Sequence, residues 1–188
     1  MKEYNSSIEF EIKNNSEIKN KLQRYFNSYN FKVVKNETEF IFEKKWSILD
    51  GWKLNILNWE SKIKIEFVEN NKIVIYHNVI TYGLGVITPI AFSSLFQKYL
   101  DNLEKYLNKN ETYERKNIEL IRLGRIKLLK YSVILILGIL TSFYLGGFLE
   151  EITETKIFRY LGIITGILIT EKIMNNYLIK NNTLQHHI

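Results

Sequence analysis

Between Tyr131 and Leu149 the chain runs for nineteen residues, YSVILILGILTSFYLGGFL, without one charged side chain. A helix rises roughly 1.5 Å per residue, so this stretch is about 28 Å long, close to the roughly 30 Å of hydrocarbon in a bilayer. A helix that is apolar on every side suits lipid or the core of a large protein. A chain of 188 residues has little else with which to cover it. Leu, Ile, Phe and Val each contribute about −0.3 to −0.6 kcal/mol at the centre of a span, so the run favours insertion by several kcal/mol. The sequence therefore predicts a transmembrane helix at 131–149.

A second apolar segment, IFRYLGIITGILIT at 157–170, follows the connector EEITETK at 150–156. It is shorter, with Arg159 near its start and Glu171 and Lys172 directly after it. It spans if Arg159 snorkels to one interface while Glu171 and Lys172 sit at the other. The alternatives are an interfacial helix or a re-entrant segment. Spanning gives a two-helix transmembrane hairpin: 131–149, a short external loop at 150–156, a second helix at 157–176 and a cytosolic tail at 177–188.

Charge sets the orientation. The formal net charge is +6, and its densest part lies just before the apolar run, in Arg115, Lys116, Arg122, Arg125, Lys127 and Lys130. Positive flanks stay on the cytoplasmic side, so both termini are expected there, in a bacterial inner membrane. Each Lys or Arg near an anionic leaflet contributes about 1 kcal/mol, which makes 111–130 a basic juxtamembrane helix held against anionic lipid headgroups. The N-terminus MKEYNSSIEFEIK has no apolar core of signal-peptide length, so the later segments are expected to direct insertion.

Small residues recur every four positions at Gly138, Ser142 and Gly146, and again at Gly162 and Gly166. That spacing lets two backbones approach closely, either to close the hairpin or to join protomers in a homo-oligomer. Glu171, beside Lys172, reads as the end of the helix, against the alternative of a functional charge within the membrane.

Residues 1–110 carry the signature of a soluble α+β domain. SIEFEIK at 7–13 alternates Ile8, Phe10 and Ile12 with Glu9, Glu11 and Lys13, a half-buried strand. An amphipathic helix follows, with Ser16 as N-cap and Ile18, Leu22, Tyr25 and Phe26 on one stripe. Residues 31–45 read as one strand or two, and SKIKIEFVENNKIVIYHNV at 61–79 as a hairpin around Glu69-Asn70-Asn71. Pro89 suits the opening of a second helix whose stripe includes Phe92, Phe96, Tyr99, Leu103 and Leu107. The expected fold is an N-terminal antiparallel sheet with two helices, in the order β-α-β-β-β-β-α, followed by the hairpin.

Chemical motifs are sparse. There is no Cys, which removes disulfides, thiolate metal sites and cysteine nucleophiles. His77, His186 and His187 form no metal-ligand or triad spacing, so neither an enzyme, a metal nor a cofactor is expected. The loop YGLGVITP offers Gly83 and Gly85 to an anion or simply to a tight reversal. Trp46, Trp52 and Trp59 cluster around Asp50-Gly51, with Lys44, Lys45 and Lys53 beside them. Such a cluster packs the sheet, meets a membrane interface or stacks on a ligand such as a nucleotide.

These features predict a non-enzymatic, membrane-anchored cytosolic binding or sensor module. Its expected partners are an anionic bilayer, a second copy of the chain, and a protein or nucleotide ligand, with no DNA. In layout alone, a small cytosolic domain on a two-helix hairpin resembles membrane effectors of bacterial defence systems. That resemblance implies the alternative, a membrane-disrupting or channel-forming effector controlled by a ligand.

Overall fold

The computed structural model describes residues 2–12, 17–35, 40–46, 54–68, 71–81 and 88–184. The chain divides into two compact units, Met1–Arg125 and Ile126–Ile188.

The first unit is built on one five-stranded antiparallel sheet. Its strands are β1 (Lys2–Glu11), β2 (Lys32–Lys35), β3 (Phe40–Lys44), β4 (Glu60–Val68) and β5 (Lys72–Thr81), in the spatial order β1-β5-β4-β3-β2. Two helices, α1 (Ile18–Asn27) and α2 (Ser93–Lys109), complete the α+β fold that the alternation of strands and amphipathic stripes predicts. A third helix, α3 (Glu114–Thr153), starts within this unit.

Alternation fixes the register. Ile63 faces His77, Ile65 faces Ile75 and Phe67 faces Ile73 across β4 and β5, with Asn71 at φ 59° in the intervening turn. Asn tolerates that left-handed backbone better than most residues. Ile63, Ile65, Ile73 and Ile75 are fully buried. Their alternating neighbours Lys62, Lys64, Tyr76 and Asn78 occupy the opposite face, where Lys62 pairs with Glu43 at 3.0 Å and the Asn78 amide donates to Asn5 Oδ1 at 2.6 Å. A slip of one residue would exchange these two sets, so burial holds the pairing in place.

The helices cover the apolar face. α1 buries Ile18, Leu22, Tyr25 and Phe26, and α2 buries Leu95, Phe96, Tyr99, Leu100, Leu103 and Leu107. The Phe26 ring centroid lies 4.4 Å from that of Phe42 on β3, which joins helix and sheet.

Local differences from the sequence reading have simple causes. β1 begins at Lys2 rather than Ser7, because β5 extends to Thr81 and supplies backbone partners as far as Lys2. Tyr4 then stacks on Phe96 at 5.7 Å. Residues 31–45 resolve into β2 and β3. Pro89 opens a 3-10 turn, Pro89–Phe92, that leads into α2. A second 3-10 turn, Ile56–Asn58, is capped by Asn55, whose side chain accepts from the Leu57 N–H at 3.0 Å. Ser16, the Asp50-Gly51 turn and the Glu69-Asn70 pair lie outside the described residues.

The second unit contains the rest of α3 and a further helix, α4 (Lys156–Leu184). Between them Glu154 adopts a left-handed φ of 53°, which ends α3. Among the described residues, α3 is the one helix long and apolar enough to cross a membrane by length and composition.

Phe26→Ala is expected to lower the stability of the sheet domain by about 3–5 kcal/mol. Val34→Thr, at an exposed sheet position, is expected to change it by no more than about 0.5 kcal/mol. Urea denaturation followed by tryptophan fluorescence measures both.

Candidate functional site

The start of α3 is seated among α1 and α2 by a polar and aromatic cluster. Tyr113, Asn117, Leu120 and Gly124 recur at steps of three and four residues and form the buried side of this helix. Asn117 is fully buried; its side-chain amide donates to Tyr25 Oη at 3.0 Å and its oxygen accepts from Asn102 Nδ2 at 2.8 Å. The Tyr25 hydroxyl in turn donates to the Tyr99 carbonyl at 2.7 Å. Around this chain of bonds the Tyr113 ring lies 4.5 Å from Tyr25 and 4.8 Å from Tyr106. At Gly124 a Cβ would come within 2.9 Å of the Ile56 side chain, so a larger residue would require Ile56 to shift. Burial holds the Tyr25 hydroxyl well above the usual phenol range, against the lowering effect of the Asn117 bond. It therefore remains a protonated donor, and the network is fixed rather than titratable.

Next to this network three buried polar atoms have no hydrogen-bond partner among the described residues: Ser6 Oγ, His77 Nδ1 and Tyr99 Oη. Ser6 and His77 are direct partners across β1 and β5, and the His77 and Tyr99 rings lie 6.5 Å apart. Buried polar groups of this kind are normally satisfied by an ordered water. Burial pushes the His77 imidazole down to about 4. A neutral ring of that basicity is a poor proton acceptor at pH 7.

Of the basic and aromatic groups expected around the Asp50-Gly51 turn, the described residues Lys44, Trp46 and Trp59 have different surroundings. Lys44 points inward: its ammonium donates to the Tyr29 carbonyl at 2.6 Å, the Leu57 carbonyl at 3.0 Å and Asn58 Oδ1 at 2.8 Å. It satisfies carbonyls near the end of α1 and in the 3-10 turn, which explains a buried lysine at the end of an edge-proximal strand. Trp59 packs edge-on against Phe92 at 5.1 Å. Trp46 is exposed, and its backbone N–H donates to Glu60 Oε2 at 3.4 Å. Trp52, Lys53, Gly83 and Gly85 lie outside the described residues, as do His186 and His187. Of the six basic residues before the apolar run, Arg115, Lys116, Arg122, Arg125 and Lys130 are exposed, Lys127 is half-buried, and Lys116 pairs with Glu111.

In the second unit Gly138, Ser142, Gly146, Gly162 and Gly166 lie where α3 meets α4. A Cβ at Gly162 would stand 2.7 Å from the Gly146 Cα, and one at Gly146 would stand 2.6 Å from the Arg159 carbonyl oxygen. Gly166 lies against Ser142 and Gly138 against Thr170, again without room for a further carbon. Arg159 Nη1 donates to Glu150 Oε2 at 3.2 Å. Glu171 is half-buried and Lys172 is exposed.

Sequence reasoning did not single out Asn117 or Ser6, and it set Lys44 beside the tryptophans and Glu150 in the connector without the partners they have here. Asn117 carried a readable signal, a polar residue within the otherwise apolar stripe Tyr113, Leu120, Gly124; the others acquire their roles only through distant partners.

No protein-family model matches the chain, and neither the curated proteins nor the solved structures give a match.

Two outcomes are expected. Tyr25→Phe removes the group that satisfies Asn117 and the Tyr99 carbonyl and lowers stability by about 1–3 kcal/mol, whereas Tyr99→Phe, which deletes a hydroxyl with no hydrogen-bond partner among the described residues, leaves stability equal or higher. His77 is protonated more readily in the unfolded chain, near the ordinary 6.5, than in the fold, near 4. Its contribution is therefore fully present above about pH 6.5 and is lost as pH falls toward 4, a loss of roughly 2–4 kcal/mol. Urea midpoints across that range should fall less steeply for His77→Leu than for the parent.

Proposed function

We propose that this chain is a membrane-anchored, non-enzymatic binding or sensor module. In this reading a cytosolic domain at 1–110 is joined through the basic helix 111–130 to a transmembrane hairpin formed by 131–149 and 157–176. Both termini face the cytoplasm, and Arg115, Lys116, Arg122, Arg125, Lys127 and Lys130 meet anionic headgroups.

The observation that carries the reading is where α3 keeps its apolar side chains. Ile136, Leu137, Leu140, Phe143 and Phe148 are each at least half exposed. Fully burying such a side chain contributes about 1.5–3 kcal/mol, so leaving these half exposed in water forgoes roughly 5 kcal/mol over this helix alone. α4 repeats the pattern with Leu161, Ile164, Leu168 and Ile169. Glycines turned toward the neighbouring helix and large apolar groups turned outward are the reverse of a soluble helical pair, and suit lipid.

Within this reading the domain recognises a protein or nucleotide partner. The second reading, a membrane-disrupting or channel-forming effector, draws on the same close approach of Gly146 and Gly162, which permits tight helix packing.

Full-length protein is expected to remain in the membrane fraction after alkaline carbonate washing. Leu140→Arg, near the middle of the run, opposes insertion by about 2.5–3.5 kcal/mol and should shift protein to the soluble or degraded pool, while Ile118→Arg should not. Release of the parent chain by carbonate would reject the membrane reading.

A further inference from the structure

The pairing of α3 with α4 fixes which residues lie at equal depth. Glu150 meets Arg159, Gly146 meets Gly162, Ser142 meets Gly166 and Gly138 meets Thr170. Each step of four toward the start of α3 is matched by a step of about four toward the end of α4. Continued by one residue and then by two, the register brings Glu171 level with Leu137 and Lys172 level with Ile136. Tyr131, where the uncharged run of α3 begins, is five to six residues further on, about 7–9 Å at helical rise.

The uncharged part of α4 is short. Only Tyr160–Thr170, eleven residues or about 16 Å, separates Arg159 from Glu171. That is about half of the roughly 30 Å of hydrocarbon that α3 spans. A bilayer fitted to α3 therefore contains charges of α4. Arg159 has Glu150 beside it at 3.2 Å. Glu171 and Lys172 fall inside the slab on the cytoplasmic half.

Lys172 is poorly placed to reach the headgroups. Side chains lean toward the N-terminus of their helix, which for α4 is the outer end, so the lysine stem leans away from the nearer interface. Neighbouring residues on a helix point in different directions, so Glu171 and Lys172 of one chain do not face each other. Lys172 is exposed, as are Leu161 and Leu168 along the same side of α4. This side presents an apolar stripe with a cation at its inner end and a carboxylate next to it.

Opposite charges side by side on one helix complement those of an identical helix. We propose that the outward face of α4 is a contact between copies of this chain, in which the Lys172 ammonium of one copy donates to the Glu171 carboxylate of the next within the membrane. A carboxylate has two oxygens and accepts several donors, so a contact of Glu171 within its own chain is compatible with this. The contact is head-to-tail, and repeating it closes a ring if the rotation allows. The proposal rests on the membrane reading above and adds the partner of this face.

The test is native mass spectrometry of the full-length chain extracted from carbonate-washed membranes in mild detergent. The parent is expected to give one discrete oligomer. Glu171→Lys and Lys172→Glu each set like charges against one another and should lose it. The exchange E171K/K172E should regain it, as should differently tagged E171K and K172E chains expressed together, which separates loss of the contact from loss of the fold. A chain retained in the membrane but monomeric, an oligomer unchanged in both single variants, or a monomer carrying an anionic lipid that Lys172→Glu removes would each overturn the proposal while leaving the anchor intact. A chain washed off by carbonate would overturn both.

Discussion

The Tyr25 hydroxyl is the joint of the first unit. It donates to α2 at the Tyr99 carbonyl and accepts from α3 at Asn117, so one phenol on α1 ties three helices together. Because the site is buried, each of these bonds is expensive to leave unmade. The aromatic rings around it, from Tyr29 to Tyr113, exclude water and keep the hydroxyl protonated. A helix that runs on for 40 residues is thereby anchored in its first two turns. Gly124 then brings it against Ile56.

The apolar stripes were legible because burial and periodicity are the same property seen twice. Ile18, Leu22, Tyr25 and Phe26 are spaced for one helical face and are buried on it, and the alternation in β4 and β5 marks the sheet face that the helices cover. The polar part of the core was not legible. Asn117 and Tyr25 are 92 positions apart, and Lys44 earns its place only from carbonyls that the fold brings to it. A lysine beside a tryptophan suggests a surface, yet three acceptors outweigh the cost of burying the ammonium. The beginning of β1 was hidden for a related reason: Lys2 to Ser6 have little strand character of their own and take their conformation from β5.

The two long helices are unequal. α3 carries nineteen consecutive uncharged residues, while α4 has eleven between Arg159 and Glu171. The first is long and apolar enough to cross a membrane by length and composition, and the second has charges at both ends of a shorter uncharged run. Small residues at 138, 146, 162 and 166 bring the helices close, and that closeness sets which residues of α3 lie level with the charges of α4. Glu150, which sequence reasoning treated as part of a connector, continues α3 and pairs with Arg159.

Topology tests the proposed cytosolic domain and membrane hairpin most directly, and the absence of Cys makes it simple to read. Single Cys residues introduced at Ser7 on β1 and at Glu154 between α3 and α4 would be exposed to a membrane-impermeant maleimide in spheroplasts. The predicted result is labelling of Glu154→Cys in intact spheroplasts and of Ser7→Cys only after the membrane is opened. Labelling of Ser7→Cys in intact spheroplasts, or protection of Glu154→Cys until lysis, would contradict it.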